Sequence, residues 1–141
     1  NVAILRQLGN GLPEIFADQN QLKQVFINIF INAAQAMHDL KRGELKIVTT
    51  KDENPVGGVV VRISDSGCGV AKEQLGKLFD PFFTTKGTGG TGLGLSVSYG
   101  IIQSHGGTIK AESTLGSGTT FIITLPCHSA PNNSNETILN K

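Results

Sequence analysis

Apolar residues in the first third of the chain follow two different periods. Leu22, Val25, Phe26, Ile29, Ala33, Ala36, Met37 and Leu40 stand 0, 3, 4, 7, 11, 14, 15 and 18 positions from the first of them. This is the 3.6-residue period of an amphipathic helix, so the spacing predicts one long helix over 19–40 with Asp18 as its N-cap. Upstream, Val2-Ala3-Ile4-Leu5-Arg6-Gln7-Leu8 reads as a strand ended by the turn residues Gly9 to Pro13, and Ile15-Phe16-Ala17 as a short second strand. Glu44 to Thr50 and Val59 to Asp65 alternate or run β-branched on either side of Asn54-Pro55-Val56-Gly57-Gly58, as two antiparallel strands would.

From Gly67 to Gly92 the pattern lapses, apart from a short helix predicted at Lys72 to Leu78. Loops of this length in compact domains are usually functional. A second helix is expected from Gly94 to His105, with Gly106-Gly107 as its stop. Thr108 to Ser113 and Thr119 to Leu125 then form a hairpin around Leu115-Gly116-Ser117-Gly118, and Pro126 closes the fold. The polar, Asn/Ser-rich stretch 127–141 reads as a disordered tail or linker, which leaves residues 1–126 as one domain.

Composition narrows the class. With 141 residues, 38% hydrophobic and 16% charged, the chain can bury a core. A formal charge of +1 gives no basic face for nucleic acid. Cys68 and Cys127 are too few and too far apart for a disulfide scaffold or a metal knuckle, which suits a reducing, cytoplasmic setting. No run approaches a membrane span, so no membrane contact is expected of this piece, and a start at Asn1 reads as an excised part of a longer protein. The 18 glycines concentrate between Gly67 and Gly107, where backbone would approach a ligand or take positive φ.

Three constellations could carry chemistry. Asn28 and Asn32, four apart at the edge of the apolar stripe, share a helix face. They either bond each other or a neighbouring loop, or offer neutral oxygens to Mg²⁺, which takes such donors together with substrate phosphates. Asp65-Ser66-Gly67-Cys68-Gly69 after an apolar strand is either an ordinary Asp turn or a carboxylate placed to accept from a planar, amine-bearing ligand. Lys86-Gly87-Thr88-Gly89-Gly90-Thr91-Gly92-Leu93-Gly94-Leu95 feeds glycine-rich backbone into a helix N-terminus, which suits phosphate. Gly87, Gly89 and Gly92 satisfy the dinucleotide fingerprint, and Glu112 lies where its ribose acid would fall, but Phe79 to Lys86 holds Pro and polar residues where a buried strand is required. No Lys-Ser/Thr follows the last glycine, so a Walker P-loop fails too. Among the histidines, His38 reads as a solvent-facing helix-end residue despite its acidic neighbour, His105 as a helix C-terminal residue serving dipole and cap, and His128 as part of the tail.

Taken in order, these segments resemble the catalytic and ATP-binding domain of bacterial sensor histidine kinases, in the superfamily shared with gyrase-type topoisomerases, heat-shock chaperone ATPases and mismatch-repair ATPases. The resemblance runs from about Asp18 to Pro126. Asp18 to Met37, with Gln24-Val25 and Asn32-Ala33-Ala34, is similar to the N box, and Asp65 to Gly69 to the first glycine box. Leu78 to Lys86 resembles the F box, Gly90 to Leu95 the second glycine box, and Gly116-Ser117-Gly118-Thr119-Thr120-Phe121 the last motif.

The resemblance implies a two-layer α/β sandwich of the Bergerat type: a mixed, mostly antiparallel sheet with helices on one face and a flexible lid over ATP. It implies that Asp65 accepts from the adenine amine beside Gly67 and Gly69, and that Thr119 helps there directly or through water. Asn32 would ligate Mg²⁺ between the phosphates, with Asn28 supporting the site. Gly90, Thr91, Gly92, Leu93, Gly94 and Leu95 would wrap the phosphates, Thr84 would join the ATP-binding set, and Lys86 would reach the γ-phosphate. Family members often carry a basic residue three positions after the metal asparagine; here it is Gln35. Members that hydrolyse ATP use a glutamate where this chain has Asn28, and an amide cannot act as that base.

The implied activity is transfer of the γ-phosphoryl group to a histidine on an upstream dimerisation domain of the same parent, then to the receiver domain of a response regulator. On this reading the piece is a monomer, its parent a homodimer, and the stretch Val70 to Thr91 a lid that moves without nucleotide. Two alternatives are an anti-sigma-type serine kinase of the same superfamily and a nucleotide-sensing module without transfer.

Overall fold

Asp18 turns the chain into its first helix. Its Oδ1 accepts from the N–H groups of Asn20 at 2.9 Å and Gln21 at 3.1 Å, two of the donors a helix start leaves unpaired. The computed structural model describes residues 1–84 and 92–127, and within them helix α1 spans Gln19–Ala36. Its stripe Val25, Ile29 and Ala33 is buried as the periodicity requires.

The helix ends at Ala36 rather than at Leu40, because a tertiary partner intervenes. The Ala36 carbonyl accepts from the Cys68 N–H at 3.1 Å, and Met37 leaves helical geometry at φ −100°, ψ 5°. Met37 stays buried, whereas Leu40 lies exposed beyond the helix. Ile15-Phe16-Ala17 is likewise not a strand. The segment crosses from sheet to helix, packing Leu12 and Ile15 against the core and leaving Phe16 exposed.

Five strands form one sheet: β1 Val2–Leu8, β2 Gly43–Lys51, β3 Gly58–Asp65, β4 Thr108–Thr114 and β5 Gly118–Pro126. Their order is β1-β2-β3-β5-β4. β1 runs parallel to β2 because α1 carries the chain back between them, and the other neighbours are antiparallel. Two further helices are α2, which covers Lys72–Leu75 and so is shorter than its predicted span to Leu78, and α3, Gly94–Ser104.

Alternation along the strands sorts the two faces. Val59, Val61 and Ile63 of β3 and Thr119, Phe121, Ile123 and Leu125 of β5 are buried, while Arg62 between its neighbours is exposed. Val25, Ile29, Ala33 and Ile102 from the helices complete this core. β1 remains exposed along its length. The register sets Asp65 opposite Thr119, and Thr119 opposite Ser113, so one transverse row crosses β3, β5 and β4 at the end of the sheet. Among the described residues no helix is long and apolar enough to cross a membrane.

Candidate functional site

Asp65 ends β3, and its carboxylate is used asymmetrically. Oδ1 accepts from the Gly67 N–H at 2.8 Å, the Asp turn that the local sequence suggested, and from the Thr119 N–H at 3.3 Å. Among the described residues nothing bonds Oδ2. Burial pushes the Asp65 carboxyl above its ordinary range, and the N–H groups of Gly67 and Thr119 hold part of that rise back.

The glycines after Asp65 let the turn fit between neighbours. A side chain on Gly67 would stand 2.6 Å from the Ala36 Cβ. Gly69 has φ +70°, and a Cβ there would enter the Thr114 carbonyl. Cys68 is clamped between them, its N–H donating to Ala36 and its carbonyl accepting from the Gly116 N–H at 2.7 Å.

On α1, Asn28 donates from Nδ2 to the Gly94 carbonyl at 3.0 Å and to Ser98 Oγ at 3.1 Å, while its Oδ1 accepts from Gln24 Nε2 at 2.9 Å. The amide therefore ties α1 to the first turn of α3. That turn has no side-chain cap: Leu93 occupies the N-cap and makes no such bond. Among the described residues no side chain caps its first N–H groups, and the positive end of its dipole favours an anion.

These elements enclose a cavity of about 440 Å³. Asn28, Asn32, Asp65, Gly69, Thr84, Gly92, Gly94, Leu95 and Thr119 of the sequence-derived set all line it. Gly67 and Leu93 do not: Gly67 is buried against Ala36, and Leu93 is exposed. Lys86, Gly90 and Thr91 lie outside the described residues, as do residues 85–91 of the expected lid and residues 128–141 of the expected tail.

The cavity also has apolar walls outside the expected ATP-binding set. Ile31, Val70, Leu78, Phe83 and Phe121 also line the cavity. Ile31 was legible only as an apolar residue off the main stripe, half exposed in the folded chain. Ser113, beneath Thr119, had no signal at all. A polar floor at the Asp65 end, apolar walls and an uncapped helix N-terminus suit a ligand with a flat, donor-bearing ring and an anionic arm.

No group of three or more His, Cys, Asp or Glu that could hold a metal exists among the described residues. Asn32, which lines the cavity, is a neutral oxygen donor of the kind a hard cation accepts. His38 points to solvent past the end of α1 with Asp39 as its neighbour. His105 caps α3 as expected: Nε2 accepts from the Asp18 N–H at 3.0 Å, which leaves Nδ1 to donate to the Ile101 carbonyl at 2.8 Å.

The family model described as histidine kinase-, DNA gyrase B- and HSP90-like ATPase matches residues 17–129. The sensor histidine kinase ZraS of Escherichia coli K12 is 44% identical over 115 residues, 82% of this chain and 23% of that protein. The chain thus spans between about a sixth and a quarter of the length of the curated relatives it matches. Among solved structures, the nucleotide-free catalytic domain of histidine kinase ThkA superposes with a TM-score of 0.73 at 36% identity, covering 89% of this chain and 80% of that one. Full-length ShkA in complex with AMPPNP gives 0.74 at 26% identity, over 92% of this chain and 27% of that one.

Proposed function

Since this chain belongs to the histidine kinase-, DNA gyrase B- and HSP90-like ATPases, we propose that it binds Mg²⁺·ATP in the cavity described and passes the γ-phosphoryl group to a histidine of a partner domain. The observation that carries the reading is the convergence of Asp65, Asn32 and the uncapped start of α3 on one cavity from distant parts of the sequence.

Each residue has a role its chemistry supports. Asp65 Oδ2 accepts from the adenine amine, and Thr119 lies beside it. Gly67 and Gly69 keep the turn thin enough for the base to approach. Asn32 holds Mg²⁺, which neutralises phosphate charge when bound. Gly92, Gly94 and Leu95 present backbone to the phosphates, Thr84 joins the ATP-binding set, and Gly90, Thr91, Leu93 and Lys86 take the roles the resemblance implies for them. Asn28 positions rather than reacts: its amide is committed to Gly94, Ser98 and Gln24.

That commitment bears on the reaction class. Position 28 carries no carboxylate to take a proton from water or from a serine hydroxyl. A neutral imidazole nitrogen needs no proton removed before attack, so the phosphorus–nitrogen bond forms as the bond to the ADP oxygen breaks. The protein contributes placement and charge stabilisation. The acceptor histidine lies on a dimerisation domain of the parent, and the phosphoryl group then moves to a receiver-domain aspartate of a response regulator. That ZraS and AtoS of Escherichia coli K12 are histidine kinases supports a histidine as the acceptor.

The test is transfer in trans. The chain is mixed with the dimerisation helices of its parent and ATP labelled at the γ-phosphate. Acid-labile label on the helices is expected; acid-stable label would point to a serine acceptor, and ATP binding without any label would leave a nucleotide-sensing module.

A further inference from the structure

The hydroxyl of Ser113 makes three contacts. It accepts from the Val70 N–H at 2.7 Å, donates to the Gly118 carbonyl at 2.8 Å, and lies 2.9 Å from Thr119 Oγ1. A serine hydroxyl has one proton and two lone pairs. The Ser113 proton goes to the Gly118 carbonyl and one lone pair takes the Val70 N–H, so all three contacts are satisfied only if Thr119 donates its own proton to the remaining lone pair of Ser113.

This fixes the rotor of Thr119. With its single proton turned toward β4, Thr119 Oγ1 offers only lone pairs to the cavity that Thr119 lines. Thr119 is buried, at 7% exposure. Asp65 shares the row, and its Oδ1 is held by two N–H donors. The floor is therefore acceptor-only across both residues.

We propose that Ser113 is a specificity-determining positioning residue, which orients the Thr119 hydroxyl so that the floor accepts a ring bearing an exocyclic amine and rejects one bearing a carbonyl at the same place. Resting on the reading of the cavity as an ATP site, this makes Ser113 favour adenine over 6-oxopurines without touching the base. Without Ser113 the Thr119 proton would be free to turn into the cavity and donate to a carbonyl oxygen, relaxing the discrimination.

The experiment compares dissociation constants of ATP and inosine triphosphate, which has a carbonyl in place of the amine, by calorimetry. The variants are Ser113→Ala, Ser113→Thr, Thr119→Val and the double variant Ser113→Ala/Thr119→Val, each checked for folding by circular dichroism. Ser113→Ala is expected to lower the ATP-over-ITP ratio by about fivefold to tenfold, the worth of one directed hydrogen bond. Ser113→Thr, which keeps the hydroxyl, should retain the parent ratio. In the Thr119→Val background, Ser113→Ala should change the ratio no further, because the rotor it acts through is gone. If Ser113→Ala does not fold, Ser113→Cys, close in size and a weak hydrogen-bonding partner, is expected to lower the ratio in its place. An unchanged ratio with both nucleotides weakened alike would overturn the proposal and leave the ATP site standing. Failure of the parent to bind either nucleotide would overturn the site reading and this inference together.

Discussion

The main-chain N–H of Asp18 donates to Nε2 of His105 at 3.0 Å, across 87 positions of sequence. The same Asp18 caps α1 with its side chain, and the same His105 caps α3 with Nδ1. One bond thus joins the start of one cavity-forming helix to the end of the other. His105→Ala is expected to cost about 1 kcal/mol, the ordinary worth of such a bond, read as a shift in the urea midpoint with unchanged slope. A midpoint within error of the parent would show that the bridge does not hold the helices together.

Asp65 carries a pH signature with a definite sign. Its folded pKa is raised above the ordinary 3.8, so over the interval between them the folded chain keeps a proton that the unfolded chain has released. The stability that proton contributes is fully present below 3.8 and is lost as pH rises through the raised value. An amine donor favours the carboxylate, so ATP affinity should rise with pH over the same window. Asp65→Asn is expected to flatten both profiles and to weaken ATP binding about 5- to 150-fold, equivalent to roughly 1–3 kcal/mol for a misplaced amide donor. Comparing variant with parent isolates Asp65 from titration of the phosphates. Identical slopes in the two titrations would remove Asp65 from the site.

The two asparagines of α1 should fail differently. Asn32→Ala is expected to keep ATP binding without Mg²⁺ while abolishing the gain that Mg²⁺ gives, measured by titration with and without the ion. Asn28→Ala instead removes both donors to α3, at Gly94 and Ser98. Hydrogen exchange at the first turn of α3 should quicken in the nucleotide-free chain. Equal Mg²⁺ dependence in Asn32→Ala and the parent would reassign the metal.

Two glycines with similar backbones separate conformation from space. Gly69 and Gly116 have φ of +70° and +83°, but a Cβ meets the Thr114 carbonyl only at Gly69 and nothing within 4 Å at Gly116. Gly116→Ala is expected to lose about 1 kcal/mol for left-handed backbone alone, and Gly69→Ala distinctly more, in parallel thermal melts. Equal losses would mean that the first glycine motif tolerates a side chain.

Local pattern was enough for most of the frame. A helix that buries Val25, Ile29 and Ala33 must show them at helical spacing, and strands with one covered face must alternate, so α1, β2, β3, β4 and β5 were legible to within a few residues. Asn32 and Asp65 stood out as polar residues at fixed offsets, and the fold brings both to one cavity. The end of α1 was not, since Ala36 gives its carbonyl to Cys68 and no window around Leu40 contains that partner. Nor was the fate of Ile15, whose apolar side chain seals the core from a crossover instead of a strand. The tie from Asn28 to Gly94, the bridge from Asp18 to His105 and the row Asp65, Thr119, Ser113 were decided by the tertiary structure alone. Hydrogen bonds between residues dozens of positions apart leave no period in the sequence, and which donor faces which acceptor is set only when sheet register and helix packing are in place.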